Sequence, residues 1–205
     1  MKLLELFCGT KSLSNVFKQY GHEVFTIDNN ADLEPDLVAD INNLNPNSIP
    51  FNPDVIWCSP PCQTFSVASI STHWTGGQKA YIPKTAECKV GIHLLTKCIE
   101  FINYKNPKYW FIENPRGVMR KIGVMPMLHK KTVTYCQYGD KRMKPTDIWT
   151  NCVDWIPRPM CKNGDSCHTS APRGSRTGTQ GLKDSIERGR IPKELCIEIL
   201  RSCEK

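Results

Sequence analysis

The chain has 205 residues, 40% of them hydrophobic and 23% charged, which is enough for one α/β domain with its own core plus a small appendage and excludes a largely disordered chain. No apolar run approaches the roughly 20 residues of a membrane span, and "MKLLELFCGT" lacks the long apolar region and cleavage site of an export signal; the expectation is a cytoplasmic protein with no membrane partner, whose 11 cysteines are reduced rather than disulfide-linked. Net charge is +7, concentrated from Lys141 onward, where 13 Lys/Arg face 8 Asp/Glu; a basic soluble surface and a polyanionic partner such as nucleic acid fit this equally well.

In chain order, "LLELFCG" reads as a buried strand ending at Gly9, and "LSNVFKQYG" as a helix stopped by Gly21. "EVFTID" is a second strand ending at Asp28, "LVADI" a third, and "DVIWCSP" a fourth, cut by Pro60 and Pro61. Ser66 to Thr85 is polar and without periodicity, a loop long enough to imply a function. Val90, Leu94, Leu95, Cys98 and Ile102 fall at helical spacing. "YWFIENP", "TVTYCQYG" and "DIWTNC" supply strands five to seven. Strands alternating with helices predict a doubly wound, mostly parallel seven-stranded sheet, with ligands at the carboxyl ends of its strands. Gly9, Asp28, Asp40, Cys62 and Glu113 all lie at or just past such ends. After Cys152 the composition turns to Pro, Gly, Ser and Cys, and the chain closes with a helix whose apolar face is Ile191, Leu195, Ile199, Leu200 and Cys203.

In "WCSPPCQTFS" two prolines precede Cys62. Prolines fix φ and remove donors, so the segment is either a tight turn or a rigid mount for a thiol. The motifs "ELFCGTKSLS", "SPPCQTFS" and "FIENPRG", in that order and followed by "QYG", resemble those of the cytosine-5 DNA methyltransferase family over roughly residues 1–150. The resemblance implies a Rossmann-like, S-adenosylmethionine-binding catalytic domain over 1–150, a small nucleic-acid-facing module over 151–189, and a C-terminal helix over 190–205 that packs back on the first. It implies that Cys62 adds to cytosine carbon 6, that Glu113 assists at the ring nitrogen, and that Asn114 orients the Cys62 loop. Phe7, Gly9, Asp28, Asp40 and Pro61 would hold S-adenosylmethionine. The partner that the resemblance implies is DNA carrying a flipped cytosine, with Ser66–Thr85 closing over it and Lys84, His73 and Trp74 as candidate contacts. The same reaction on RNA, or binding without catalysis, is the alternative.

Three departures from the family pattern stand out. Lys11 and Pro115 replace its usual glycine and aliphatic residue. "QYGDKRMKPTDIW" lacks the family's Gln-x-Arg-x-Arg signature, with Arg142 and Lys144 as replacements for its positive charges toward nucleic acid. The recognition region is shortened to about 40 residues, in which Arg158, Lys162, Arg173 and Arg176 suit the phosphate backbone. Cys152, Cys161, Cys167 and His168 have the composition of a structural zinc set, or are ordinary loop cysteines.

Overall fold

The computed structural model describes residues 1–170 and 184–205. In chain order the elements are β1 (Lys2–Leu6), α1 (Ser12–Gln19), β2 (Glu23–Asp28), β3 (Leu37–Val38), β4 (Val55–Cys58), α2 (Ile70–His73), β5 (Trp74–Thr75), α3 (Gly77–Ala80), β6 (Ile82–Pro83), α4 (Ala86–Lys105), β7 (Tyr109–Pro115), β8 (Lys130–Thr134), β9 (Pro145–Thr150), α5 (Ser185–Gly189) and α6 (Lys193–Cys203). Seven strands form one sheet in the order β3-β2-β1-β4-β7-β9-β8. β3, β2, β1, β4 and β7 are mutually parallel, while β9 runs antiparallel to both β7 and β8. This is the doubly wound α/β sheet expected, with one reversed strand near its edge.

The central strands are apolar on both faces because helices cover both. Along β1 and β4, Leu3, Val55 and Trp57 enter one core with Leu13, Phe17, Leu195, Ile199 and Leu200, so α1 and α6 share that face. Leu4, Leu6, Ile56 and Cys58 enter the other core, with Cys88, Leu95, Cys98, Phe101 and Ile102 of α4. This is the period-two alternation of a strand set against helices at period 3.6. Val90, expected on the buried face of α4, is exposed. Helix α4 begins where the Thr85 hydroxyl accepts the Cys88 N–H at 3.2 Å and ends at Asn106, with φ of 44°.

Two stretches are more ordered than their composition indicates. Ser66–Thr85 contains α2, α3 and the β5–β6 hairpin, pinned by Trp74, which is buried between Phe65 and Tyr81. Residues 152–168 lie against α6. Trp155 sits edge-on to Phe111 and donates its indole N–H to Glu198 at 2.9 Å, and Arg158 pairs with Glu194 at 2.6 Å and stacks over Tyr138. A buried indole of this kind holds the segment by about 3 kcal/mol. Among the described residues no helix is long and apolar enough to cross a membrane.

Candidate active site

Beyond β4 the backbone makes a compact turn, in which the Cys62 carbonyl accepts the N–H groups of Phe65 (3.0 Å) and Ser66 (3.1 Å). Four fasteners hold this turn from outside. The buried Asn114 side chain donates to the Pro60 carbonyl at 2.9 Å. The Trp74 indole donates to the Thr64 carbonyl at 2.6 Å. The Val118 N–H donates to the Phe65 carbonyl at 2.8 Å, beside a bridge between Ser66 and Gly117. Gly91 of α4 lets Thr64 and Phe65 approach so closely that a Cβ there would stand 2.6 Å from the Thr64 hydroxyl. The two prolines therefore stiffen the entry to a turn that four separate elements immobilise.

Glu113 lies at the end of β7, buried, and accepts the Tyr135 hydroxyl proton at 3.0 Å. Ser59, which accepts the Trp57 indole N–H at 2.7 Å, also bonds to it. Burial pushes the Glu113 carboxyl above its ordinary range; the Lys144 ammonium and the Tyr135 and Ser59 hydroxyls work against that rise. The Cys62 thiol is half-buried, and its pKa is raised first by burial and then by Glu113, with Lys144 and Arg188 opposing. Burial lowers the Lys144 ammonium, against the pull of Glu113 and Cys62. Carboxyl and ammonium thus each perturb the thiol and each other.

A cleft opens beside this cluster at the carboxyl ends of β1 and β2. Leu6, Phe7, Ile27, Ala39, Ile41 and Leu94 wall it, and Asp28, Asp40 and Pro61 line it as well. The Phe7–Lys11 loop, which reaches the cleft through Phe7, has positive φ at Phe7 (55°), Gly9 (47°) and Lys11 (53°). Lys11 thus adopts the left-handed backbone for which glycine is the unstrained choice, and the loop keeps that geometry without glycine. Each Asp28 oxygen already accepts one backbone N–H, from Gly9 at 3.1 Å and from Asn30 at 3.0 Å. Each retains a second lone pair for a ligand hydroxyl. The cleft therefore has apolar walls with the two carboxylates Asp28 and Asp40 in its lining.

Several sequence expectations change. Arg142 is buried, not displayed to nucleic acid. Its guanidinium engages the Asp140 carboxylate and the carbonyls of Glu187, Arg188 and Arg190, tying α5 to the turn before β9. Lys144, with φ of 28°, points inward; it donates to the Arg188 carbonyl at 2.8 Å and lies over the Tyr135 ring. Lys84 is exposed but donates to the Ser71 carbonyl at 2.8 Å, and His73 bonds to the Thr85 hydroxyl. Trp74 is a buried fastener rather than a DNA contact, and Arg158 is committed to Glu194 and Glu198. Cys152 is packed in the α1–α6 core, away from the other three predicted metal ligands, whose neighbour is Cys136. Arg173 and Arg176 lie outside the described residues. Tyr135 and Ser59 were missed; the one available signal was their position beside strand ends.

The family model described as C-5 cytosine-specific DNA methylase matches residues 1–122. A Frog virus 3 (isolate Goorha) protein described as "Probable DNA (cytosine-5)-methyltransferase" is 31% identical over 225 aligned residues, covering 99% of this chain and all of the relative. Among solved structures, a DNMT2 mutant of Spodoptera frugiperda aligns at TM-score 0.52 and 20% identity over 80% of this chain and 56% of that one. The Entamoeba histolytica methyltransferase EhMeth aligns at TM-score 0.54 and 15% identity over 79% and 57%. The chain thus spans little more than half the length of these solved structures, which share its fold. With the motif residues gathered at the strand ends and a full-length relative at this identity, the chain belongs to the C-5 cytosine-specific DNA methylase family, enzymes that use S-adenosylmethionine.

Proposed function

We propose that the protein methylates carbon 5 of cytosine in DNA through a covalent bond between Cys62 and carbon 6 of a flipped base. The observation that carries this reading is the gathering of Cys62, on a turn held by Asn114, with the buried Glu113 that Tyr135 fixes and with Lys144, at one partly water-excluded point beside the cleft. The viral relative, described as a probable DNA (cytosine-5)-methyltransferase, supports DNA as the substrate.

In this reading the Glu113 carboxyl, whose hold on its proton burial strengthens, gives that proton to ring nitrogen 3 as the Cys62 sulfur adds to carbon 6. Carbon 5 thereby gains enamine character. S-adenosylmethionine supplies the electrophilic methyl group. Solvent water then takes the carbon 5 proton, the bond from sulfur to carbon 6 breaks to release the Cys62 thiolate, and the proton on ring nitrogen 3 returns to Glu113, which restores the aromatic ring. Lys144 stabilises that thiolate, and Tyr135 and Ser59 hold the Glu113 carboxyl in place. Asn114 and Trp74 keep the sulfur from drifting, and alignment of this kind supplies a large share of a barrier reduction. Asp28, Gly9 and Phe7 would hold the adenosyl group, with Asp40 and Pro61 at the rim.

Duplex DNA containing 5-fluorocytosine tests the reading, because fluorine blocks the final proton loss. With S-adenosylmethionine present, the wild type should form a denaturation-resistant adduct and Cys62→Ser none. Glu113→Gln should keep cofactor affinity while losing most turnover. Mass detection of 5-methylcytosine in parallel DNA and RNA incubations identifies the nucleic acid. Product in RNA alone overturns the DNA assignment, and an equal adduct from Cys62→Ser overturns the nucleophile.

A further inference from the structure

We propose that Cys136, Cys161, Cys167 and His168 form a tetrahedral zinc site that clamps the turn carrying Tyr135 to the segment running along α6. These four are the group of possible metal ligands that closes within 4.8 Å among the described residues. The Cys136 and Cys167 sulfurs are 3.6 Å apart, and His168 Nδ1 stands 3.7 Å from the Cys161 sulfur and 3.6 Å from that of Cys167. With Zn–S near 2.3 Å and Zn–N near 2.0–2.1 Å, the edges of a zinc tetrahedron are about 3.8 Å between sulfurs and about 3.6 Å from sulfur to nitrogen. Three of the separations match. The fourth, 3.0 Å between Cys136 and Cys161, is too close for two uncharged thiols, since even carbon atoms rest about 3.5–4.0 Å apart. A central cation would relieve this crowding by drawing each sulfur to itself and spreading that edge by under about 1 Å.

The surrounding chain is built to present these ligands. Cys136 lies in the 3-10 turn Tyr135–Tyr138 that follows β8. The Thr134 hydroxyl accepts the Cys161 N–H at 3.0 Å, which registers the second ligand against the first. Between Cys161 and Cys167 the chain reverses through "KNGD", where the Asp165 carboxylate accepts the Lys162 N–H at 2.6 Å and Gly164 takes a φ of 95°. The Thr169 N–H then bonds to the Lys141 carbonyl at 2.9 Å, returning the segment to the β8–β9 connection. The Gln137 side-chain amide lies 3.5 Å from the Cys167 sulfur, a donor suited to a ligating thiolate. Cys136 and Cys161 are buried whereas Cys167 is exposed, so the metal has a way in from solvent. Sequence spacing alone points to Cys152 as the fourth ligand; the fold replaces it with a residue from the far side of β9.

The site bears on the reaction because Cys136 directly follows Tyr135, the donor to Glu113. The metal is therefore a positioning element for that phenol. The site itself stands on ligand geometry alone, while its effect on rate rests on the catalytic reading of Glu113, and the two are measured separately. Protein purified without chelator should contain one zinc per chain by elemental analysis. Cobalt titrated into the stripped wild type should give an intense thiolate-to-metal absorption band. Cys136→Ser and Cys161→Ser should lose the zinc, whereas Cys152→Ser should keep it. Cys136→Ser should also slow adduct formation by about 10- to 100-fold, with S-adenosylmethionine affinity within about twofold. Wild type without bound metal and without the cobalt band, a Cys136–Cys161 disulfide found by mass spectrometry under reducing purification, or zinc lost from Cys152→Ser but kept in Cys136→Ser each overturns the site. Zinc loss with an unchanged adduct rate overturns its coupling to Glu113.

Discussion

Gly117 joins the two halves of the active site, and placing a methyl group there should separate them. A Cβ at this position would stand 2.1 Å from the Phe65 carbonyl oxygen and 3.1 Å from its carbon, where real contacts essentially never fall below 3.0 Å. Gly117→Ala must therefore drive the two backbones apart by about 0.9 Å (3.0 less 2.1). The obstacle is a backbone carbonyl, so no side-chain rotation relieves it. That movement breaks the 2.8 Å bond from the Val118 N–H to the Phe65 carbonyl and the bridge from Ser66, with a stability loss of about 1–3 kcal/mol. Phe65 lies three residues after Cys62 in the same turn, and a displacement near 1 Å at a reacting group costs about 100-fold in rate. The assay is the rate of covalent capture of 5-fluorocytosine DNA, with S-adenosylmethionine affinity by calorimetry and thermal melting alongside. Capture should fall about 100-fold while cofactor affinity stays within about twofold, because the cleft is built on β1 and β2. Gly91→Ala provides the contrast: its 2.6 Å clash is with the Thr64 hydroxyl, which can rotate, so its effect should be milder. Unimpaired capture by Gly117→Ala would refute the claim that this contact holds the nucleophile.

Lys144→Met removes the ammonium that favours the Cys62 thiolate and opposes the rise of Glu113; the pH midpoint for iodoacetamide alkylation of Cys62 should move upward, and an unchanged midpoint would place the cation's influence elsewhere. Asp28→Ala should weaken S-adenosylmethionine binding by about 1–3 kcal/mol, since the carboxylate also holds the Gly9 and Asn30 N–H groups that shape the loop; equal affinity by calorimetry would move the contact to another residue. Glu5, buried and pushed up from 4.5 to about 7 by burial despite two donors on Ser14, binds its proton more tightly folded than unfolded. Its stabilising contribution is therefore full below about pH 4.5 and lost as pH rises through about 7, worth about 3 kcal/mol. Denaturant melts at several pH values should show that decline, and Glu5→Gln should flatten it.

The seven strands, the two covered faces and the placement of Cys62 and Glu113 at strand ends were legible from the sequence because each rests on local chemistry, whereas the order of the strands in the sheet was not. Apolar alternation marks a buried strand, and prolines or a Glu-Asn pair mark its end. The direction in which a charged side chain points is not local. Lys144 was legible as a cation, but its inward turn follows from a positive φ at the entrance to β9 and from Glu113 across the sheet. Arg142 looked like a surface charge until Asp140 and the carbonyls around α5 were found to surround its guanidinium. Trp74 and Tyr135 carry no motif; an indole N–H over the Thr64 carbonyl and a phenol against Glu113 exist only once distant segments pack. The exchange of Cys152 for Cys136 has the same origin. Sequence counts cysteines along the chain, whereas a metal requires ligands that converge in space, and the antiparallel return of β9 decides which ones converge.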